Sequence, residues 1–204
     1  MKLTDKGGSD FQTVEAGVYM ARCYKIIDLG TQQGEYEGKS ISKRELVIGW
    51  EFPTELMEDG KPFVTSAFYT ASIGEKAKLR KLLIDWRGRD FTPEELQGFE
   101  IKNLLGAPCQ LNMVANKKGK VVVGSASPLM KGTKCADQMN DSVYMSLEHD
   151  EFDQKVFDGL GDFFQKKIMA SPEWLALKGG KVTEYDVPEP PAPDNGDDMG
   201  DLPF

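Results

Sequence analysis

Between Gly17 and Thr70 the chain holds three runs in which apolar side chains fall at every second position, the period of a strand that buries one face. Gly17 to Gly30 is rich in β-branched and aromatic residues. Alternation sets Tyr19, Ala21, Cys23, Ile27 and Leu29 against Val18, Met20, Arg22, Tyr24 and Ile26. A polar, glycine-punctuated stretch from Thr31 to Lys39 reads as a long hairpin loop. From Ile41 to Phe52 the alternation is cleaner, with Leu46, Ile48, Trp50 and Phe52 assigned to the core. Pro53 ends this strand, and Asp59-Gly60 turns the chain into a third, Pro62 to Thr70. That strand divides into Phe63, Thr65, Ala67 and Tyr69 on one face and Val64, Ser66 and Phe68 on the other.

The period then changes. Leu79, Leu82, Leu83 and Trp86 fall at helical spacing behind a capping-box pattern, Ser72 with Glu75, and predict an amphipathic helix from about Gly74 to Trp86. Thr92-Pro93-Glu94-Glu95 predicts a second, short helical turn ending near Gly98. Cys109 to Ala115 and Val121 to Ala126 are two more strands, joined by the basic tip Asn116-Lys117-Lys118-Gly119-Lys120. Residues 127–149 are irregular. Phe152, Val156, Phe157, Leu160, Phe163, Phe164 and Ile168 form an apolar stripe interrupted at Gly159 and Gly161, and Ser171-Pro172-Glu173 starts another short helix. From Lys181 the periodicity stops, and the composition is that of a disordered tail.

The order β-β-β-α-β-β is that of an OB-fold, a small Greek-key barrel whose open face and loops bind oligonucleotides. The expected protein is mainly β: a five-stranded OB-fold barrel over residues 1–130, a helical extension over 131–180 packing on it, and a disordered acidic tail over 181–204.

A net charge of −8 argues at first against a polyanionic partner. Its distribution reverses that reading: residues 1–130 carry +1, 131–180 carry −3 and 181–204 carry −6. The body is nearly neutral. Cys23, Cys109 and Cys135 form no C-x-x-C pair and read as reduced thiols, and the single histidine, His149, leaves little for zinc or histidine-based catalysis. No catalytic loop motif is present, so no enzyme and no cofactor are expected. No apolar run reaches the ~20 residues of a membrane span, which predicts a cytoplasmic protein without a membrane partner.

Two sets of residues carry a family resemblance. The terminal Asp201-Leu202-Pro203-Phe204 on an acidic Pro/Gly tail resembles the tip of bacterial single-stranded-DNA-binding proteins. The runs Gly49-Trp50-Glu51-Phe52-Pro53-Thr54-Glu55, Leu79-Arg80-Lys81, Trp86-Arg87-Gly88-Arg89 with Phe91-Thr92, and Asn103-Leu104-Leu105-Gly106 with Pro108-Cys109 resemble phage-encoded single-stranded-DNA-binding proteins over about residues 10–130. The resemblance implies protection of single-stranded DNA during phage replication and recombination in the host cytoplasm. It also implies recruitment of replication or recombination proteins through Asp197, Asp198, Asp201, Leu202, Pro203 and Phe204. The long 131–180 extension departs from the bacterial pattern and leaves the oligomeric state open.

A sequence-tolerant single-strand binder needs cations along the phosphates and aromatic platforms for the bases. On the faces opposite the expected core these are Arg22 and Tyr24, then Lys43 with Lys39 and Arg44 beside it, then Phe63 and Tyr69, or Phe68 in the other register. Tyr36 in the hairpin loop and Lys117, Lys118 and Lys120 at the later tip complete the set. Tyr24, Tyr36 and Tyr69 read equally as base platforms or as rings packed beneath the extension. The basic helix face, Lys76, Lys78, Arg80, Lys81, Arg87 and Arg89, reads as solvated or as a dock for the acidic tail, which would compete with DNA for basic surface. Two other classes stay open: an adaptor that binds only proteins, and a metal-dependent nuclease built on Glu55/Glu58/Asp59 or Asp150/Glu151/Asp153.

Overall fold

Backbone pairing carries the first two strands well past their apolar residues. In the computed structural model, which describes residues 13–36 and 39–179, β1 runs over Gly17–Tyr36 and β2 over Lys39–Leu56 as one long antiparallel hairpin. Most of the expected Thr31–Lys39 loop is therefore strand. Its side chains are polar on both faces, as where Gln33 Nε2 donates to Ser42 Oγ across the ribbon at 3.2 Å, so hydrophobic alternation has nothing to report there. Pro53 does not end β2 either. It sits in an unpaired stretch between Phe52 and Leu56, the kind of irregularity where a strand tolerates a residue without an N–H.

β3 (Pro62–Thr70), β4 (Pro108–Ala115) and β5 (Val121–Ser127) complete an antiparallel order β3-β2-β1-β4-β5. An unforeseen short strand, β6 (Val143–Met145), adds in parallel to Lys25–Ile27 of β1, making an open sheet of six strands. The helices are α1 (Lys78–Arg87), α2 (Pro93–Gln97), α3 (Gln154–Asp158), α4 (Asp162–Met169) and α5 (Pro172–Leu177). α1 starts four residues later than its capping box predicted, because the Ser72 hydroxyl accepts from Gly74 N–H and so closes a local turn. The Thr92–Glu95 box does form, in both directions.

Two apolar layers lie on opposite faces of the sheet. The larger holds Ala21, Cys23, Ile26, Leu46, Ile48, Trp50, Phe52, Cys109, Leu111 and Met113, covered by Leu79, Leu82, Leu83 and Trp86 of α1. The second holds Ile27, Leu29, Val47 and Phe68 beneath Phe157, Leu160 and Ile168 of the extension. Ile26 and Ile27 thus exchange the faces that alternation assigned to them. A β-bulge at Tyr24 is the cause: Cys23 pairs with Trp50 and Lys25 with Gly49, so one extra residue shifts the phase of everything after it. A run of two adjacent isoleucines is the trace this leaves in the sequence.

A second bulge brings Gly30 to φ +69°, and there the extension docks. Glu173 of α5 accepts from Thr31 N–H at 2.8 Å and from Thr31 Oγ1 at 2.5 Å, while Lys167 of α4 pairs with Glu45 at 3.0 Å. A β-carbon on Gly30 would lie 2.4 Å from Ser171 Oγ and 2.5 Å from its Cβ. Gly30→Ala combines this clash with a left-handed backbone, and it is expected to cost about 2 kcal/mol or more. A fall in the urea midpoint, with the Trp174 ring losing its stack on Phe157, is the signature to measure.

Among the described residues no helix is long and apolar enough to cross a membrane.

Candidate nucleic-acid interface

The bulge at Tyr24 turns Lys25 onto the outer face of the sheet, opposite Gly49 of β2, which in turn pairs with Ser66 of β3. Gly49 has no β-carbon, and the lysine stem occupies that space. An added Cβ would meet Lys25 Cε at 2.9 Å, Lys25 Cβ at 3.1 Å and Ser66 Oγ at 3.2 Å. The Lys25 ammonium ends 5.4 Å from the ring centroids of both Tyr24 and Phe164. Burial lowers its pKa, and no charged neighbour contributes to that shift. Lys25 is thus a half-buried cation beside two aromatic rings, with no carboxylate bridged to it among the described residues.

Two walls rise from this floor. The first is a strap, residues 131–142, tied down over the fully buried Glu51. Glu51 accepts from Met139 N–H at 2.6 Å, Asn140 N–H at 2.8 Å and Asn140 Nδ2 at 2.6 Å. Arg22 binds the same strap, donating to Ala136 O at 2.6 Å and Cys135 O at 3.2 Å, and donates to Gly106 O at 2.8 Å. The second wall is α4, whose Phe163 and Phe164 meet Phe68 of β3 at 6.3 and 6.5 Å between centroids. Along β2 the strap's anchor, Glu51, and Val47, which belongs to the apolar layer beneath the extension, are four residues apart, about 13 Å of extended strand. Gly49 lies midway.

The expected site residues are dispersed in this frame. Tyr24 is at the groove, half-buried, its phenol pushed up to about 12 by burial. Arg22 borders it, with its guanidinium committed to the strap. Arg44 bridges Asp28 at 2.5 Å and Glu148 of the extension at 2.9 Å, contacts that hold it firmly protonated. Lys39 and Lys43 lie farther out on the ribbon, and Tyr36 closes β1 with a side chain outside the described residues.

Phe63 and Tyr69 require a correction. Both pack against the larger core, with burial raising the Tyr69 phenol, because their face is the one paired with Leu46 and Phe52. Phe68 does occupy the opposite face but is buried under α4. Lys117, Lys118 and Lys120 sit on the exposed β4–β5 tip, beyond the Gly17 end of β1, whereas the ribbon lies beyond its other end. They do not join the groove. The basic face of α1 is partly neutralised by ion pairs, Arg80 with Asp90, Lys81 with Asp85, and Arg87 and Arg89 with Glu95. Asp197, Asp198, Asp201, Leu202, Pro203 and Phe204 lie outside the described residues.

Lys25, Gly49, Phe163 and Phe164 were not among the expected site residues. The signal for Lys25 was the broken alternation around it. For the two phenylalanines no local signal existed, since a helical stripe reads as core until its partner surface is known. Compared with known protein families, curated proteins and solved structures, the chain matches none.

Proposed function

We propose that this protein is an OB-type binder of single-stranded DNA that protects single strands largely without regard to sequence, and is not an enzyme. The barrel reading rests on β1, long enough to pair with β2 and β4 in turn, and on α1 lying between β3 and β4 in sequence and packing against β3 and β5 in space. The observation that carries the binding reading is Lys25: a cation set in a walled groove, with aromatic rings beside it and no counter-ion bridged to it among the described residues. A gap of about 13 Å between wall anchors, narrowed by their side chains, suits one extended strand. Recruitment of replication or recombination proteins through the Asp201–Phe204 tip remains part of this reading on the sequence resemblance, as does action in the cytoplasm of a phage host.

The test is fluorescence anisotropy with labelled oligo-dT and with a duplex of equal length, repeated across salt. Expected are preference for the single strand and a log K against log salt slope of about −1.4 to −2, as for two or three phosphates on a single strand. No binding at low salt would favour the protein-only adaptor, and duplex preference would remove the groove as the site.

A further inference from the structure

We propose that the helical extension completes the groove by supplying a base-stacking platform, the ring of Phe163 on α4, so that residues beyond the barrel form part of the nucleic-acid site. The inference rests on the single-strand reading above. Within α4 the apolar stripe needed for docking is already met by Phe164 and Ile168, four residues apart, with Ile168 fully buried. Phe163 is one position off that stripe and remains 37% exposed.

Its surroundings suit a base. Phe163 meets Phe68 at 90° and Phe164 at 73°, edge contacts both, and no described ring is stacked on it. Lys25 lies 5.4 Å from the Phe164 centroid, and Lys167, ion-paired with Glu45, lies 6.0 Å from the Phe163 centroid and 5.9 Å from that of Phe68. A cation beside an exposed aromatic ring is what a sequence-tolerant strand binder requires: a phosphate meets Lys25 while a base covers the Phe163 ring. The occupant this selects is a nucleobase of a bound single strand.

The experiment compares wild type with Phe163→Leu and Phe163→Trp on oligo-dT and on an abasic oligonucleotide of the same length. Leucine keeps apolar volume against Phe68 and removes the π-face, so an unchanged urea midpoint shows that docking survives. Expected are about tenfold weaker oligo-dT binding for Phe163→Leu, unchanged abasic binding, and recovery with Phe163→Trp accompanied by quenching of the new indole. Wild-type affinity of Phe163→Leu for oligo-dT, or equal losses on both ligands, would overturn the platform while leaving single-strand binding intact. Failure of the wild type itself to bind oligo-dT at low salt would overturn both.

Discussion

Glu51→Ala is expected to destabilise the fold by about 3 kcal/mol and to free the strap that walls the groove. The carboxylate is fully buried and accepts three N–H donors, two of them backbone groups of Met139 and Asn140. Hydrogen bonds to a charged group contribute about 1.5–3 kcal/mol each, and breaking a buried charged network costs about 3–5 kcal/mol. The lower part of that range applies because the strap lies at the surface and its released donors can regain water. For a domain of this size the loss corresponds to roughly 6–12 °C in Tm. Hydrogen exchange at the Met139 and Asn140 amides should accelerate well before global unfolding. An unchanged Tm with protected amides would show that the strap is held by other contacts.

Lys25→Glu is expected to weaken single-strand binding by about 30-fold or more, since it removes one attraction and installs a repulsion where the dielectric is low. Lys25→Met separates charge from shape. The methionine keeps an apolar stem across Gly49, so the groove floor persists while the salt slope falls by about 0.7. The sign of the pH effect follows from burial, which lowers the Lys25 pKa in the folded protein. Phosphate binding favours the protonated amine, so affinity should decline on the alkaline side starting below the ordinary lysine range, and Lys25→Met should lose that limb. Stability runs the other way. Between the folded and unfolded pKa values the unfolded chain holds the extra proton, so this residue's contribution to stability rises with pH there. Lys25→Met is therefore expected to melt no lower than wild type at pH 7 while binding worse. Equal affinities for wild type and both variants, by anisotropy at low salt, would remove Lys25 from the site.

Both residues show how far the chain could be read without coordinates. Glu51 alternates with Trp50 and Phe52 and reads as an outward, solvated position; its burial comes from a strap nearly ninety residues later. Lys25 stands next to Tyr24, which alternation did place near the groove, but the bulge that turns it outward is a property of the β1–β2 register. Phe63 and Tyr69 fail for the converse reason. Their alternation was read correctly, yet period two says only that two faces differ, and which face meets the core is decided by what packs there.

The groove is built from three distant segments: β1–β2, the strap and α4. The sequence around them carries local signals, in the apolar alternation, the Pro and Gly punctuation and the helix caps at Thr92, Asp153 and Ser171. These short-range signals, together with the concentration of acid in the last 24 residues, determined by themselves that the chain is mainly β, where the apolar parts of its first five strands and most helices lie, and that its excess negative charge is concentrated at one end of the sequence. Tertiary structure alone decided that the extension covers the outer face of the sheet and that a lysine, a glycine and two phenylalanines meet there. The physical reason is range: caps, turns and periodicity act within a few residues, whereas burial and register are set by segments far apart in the sequence.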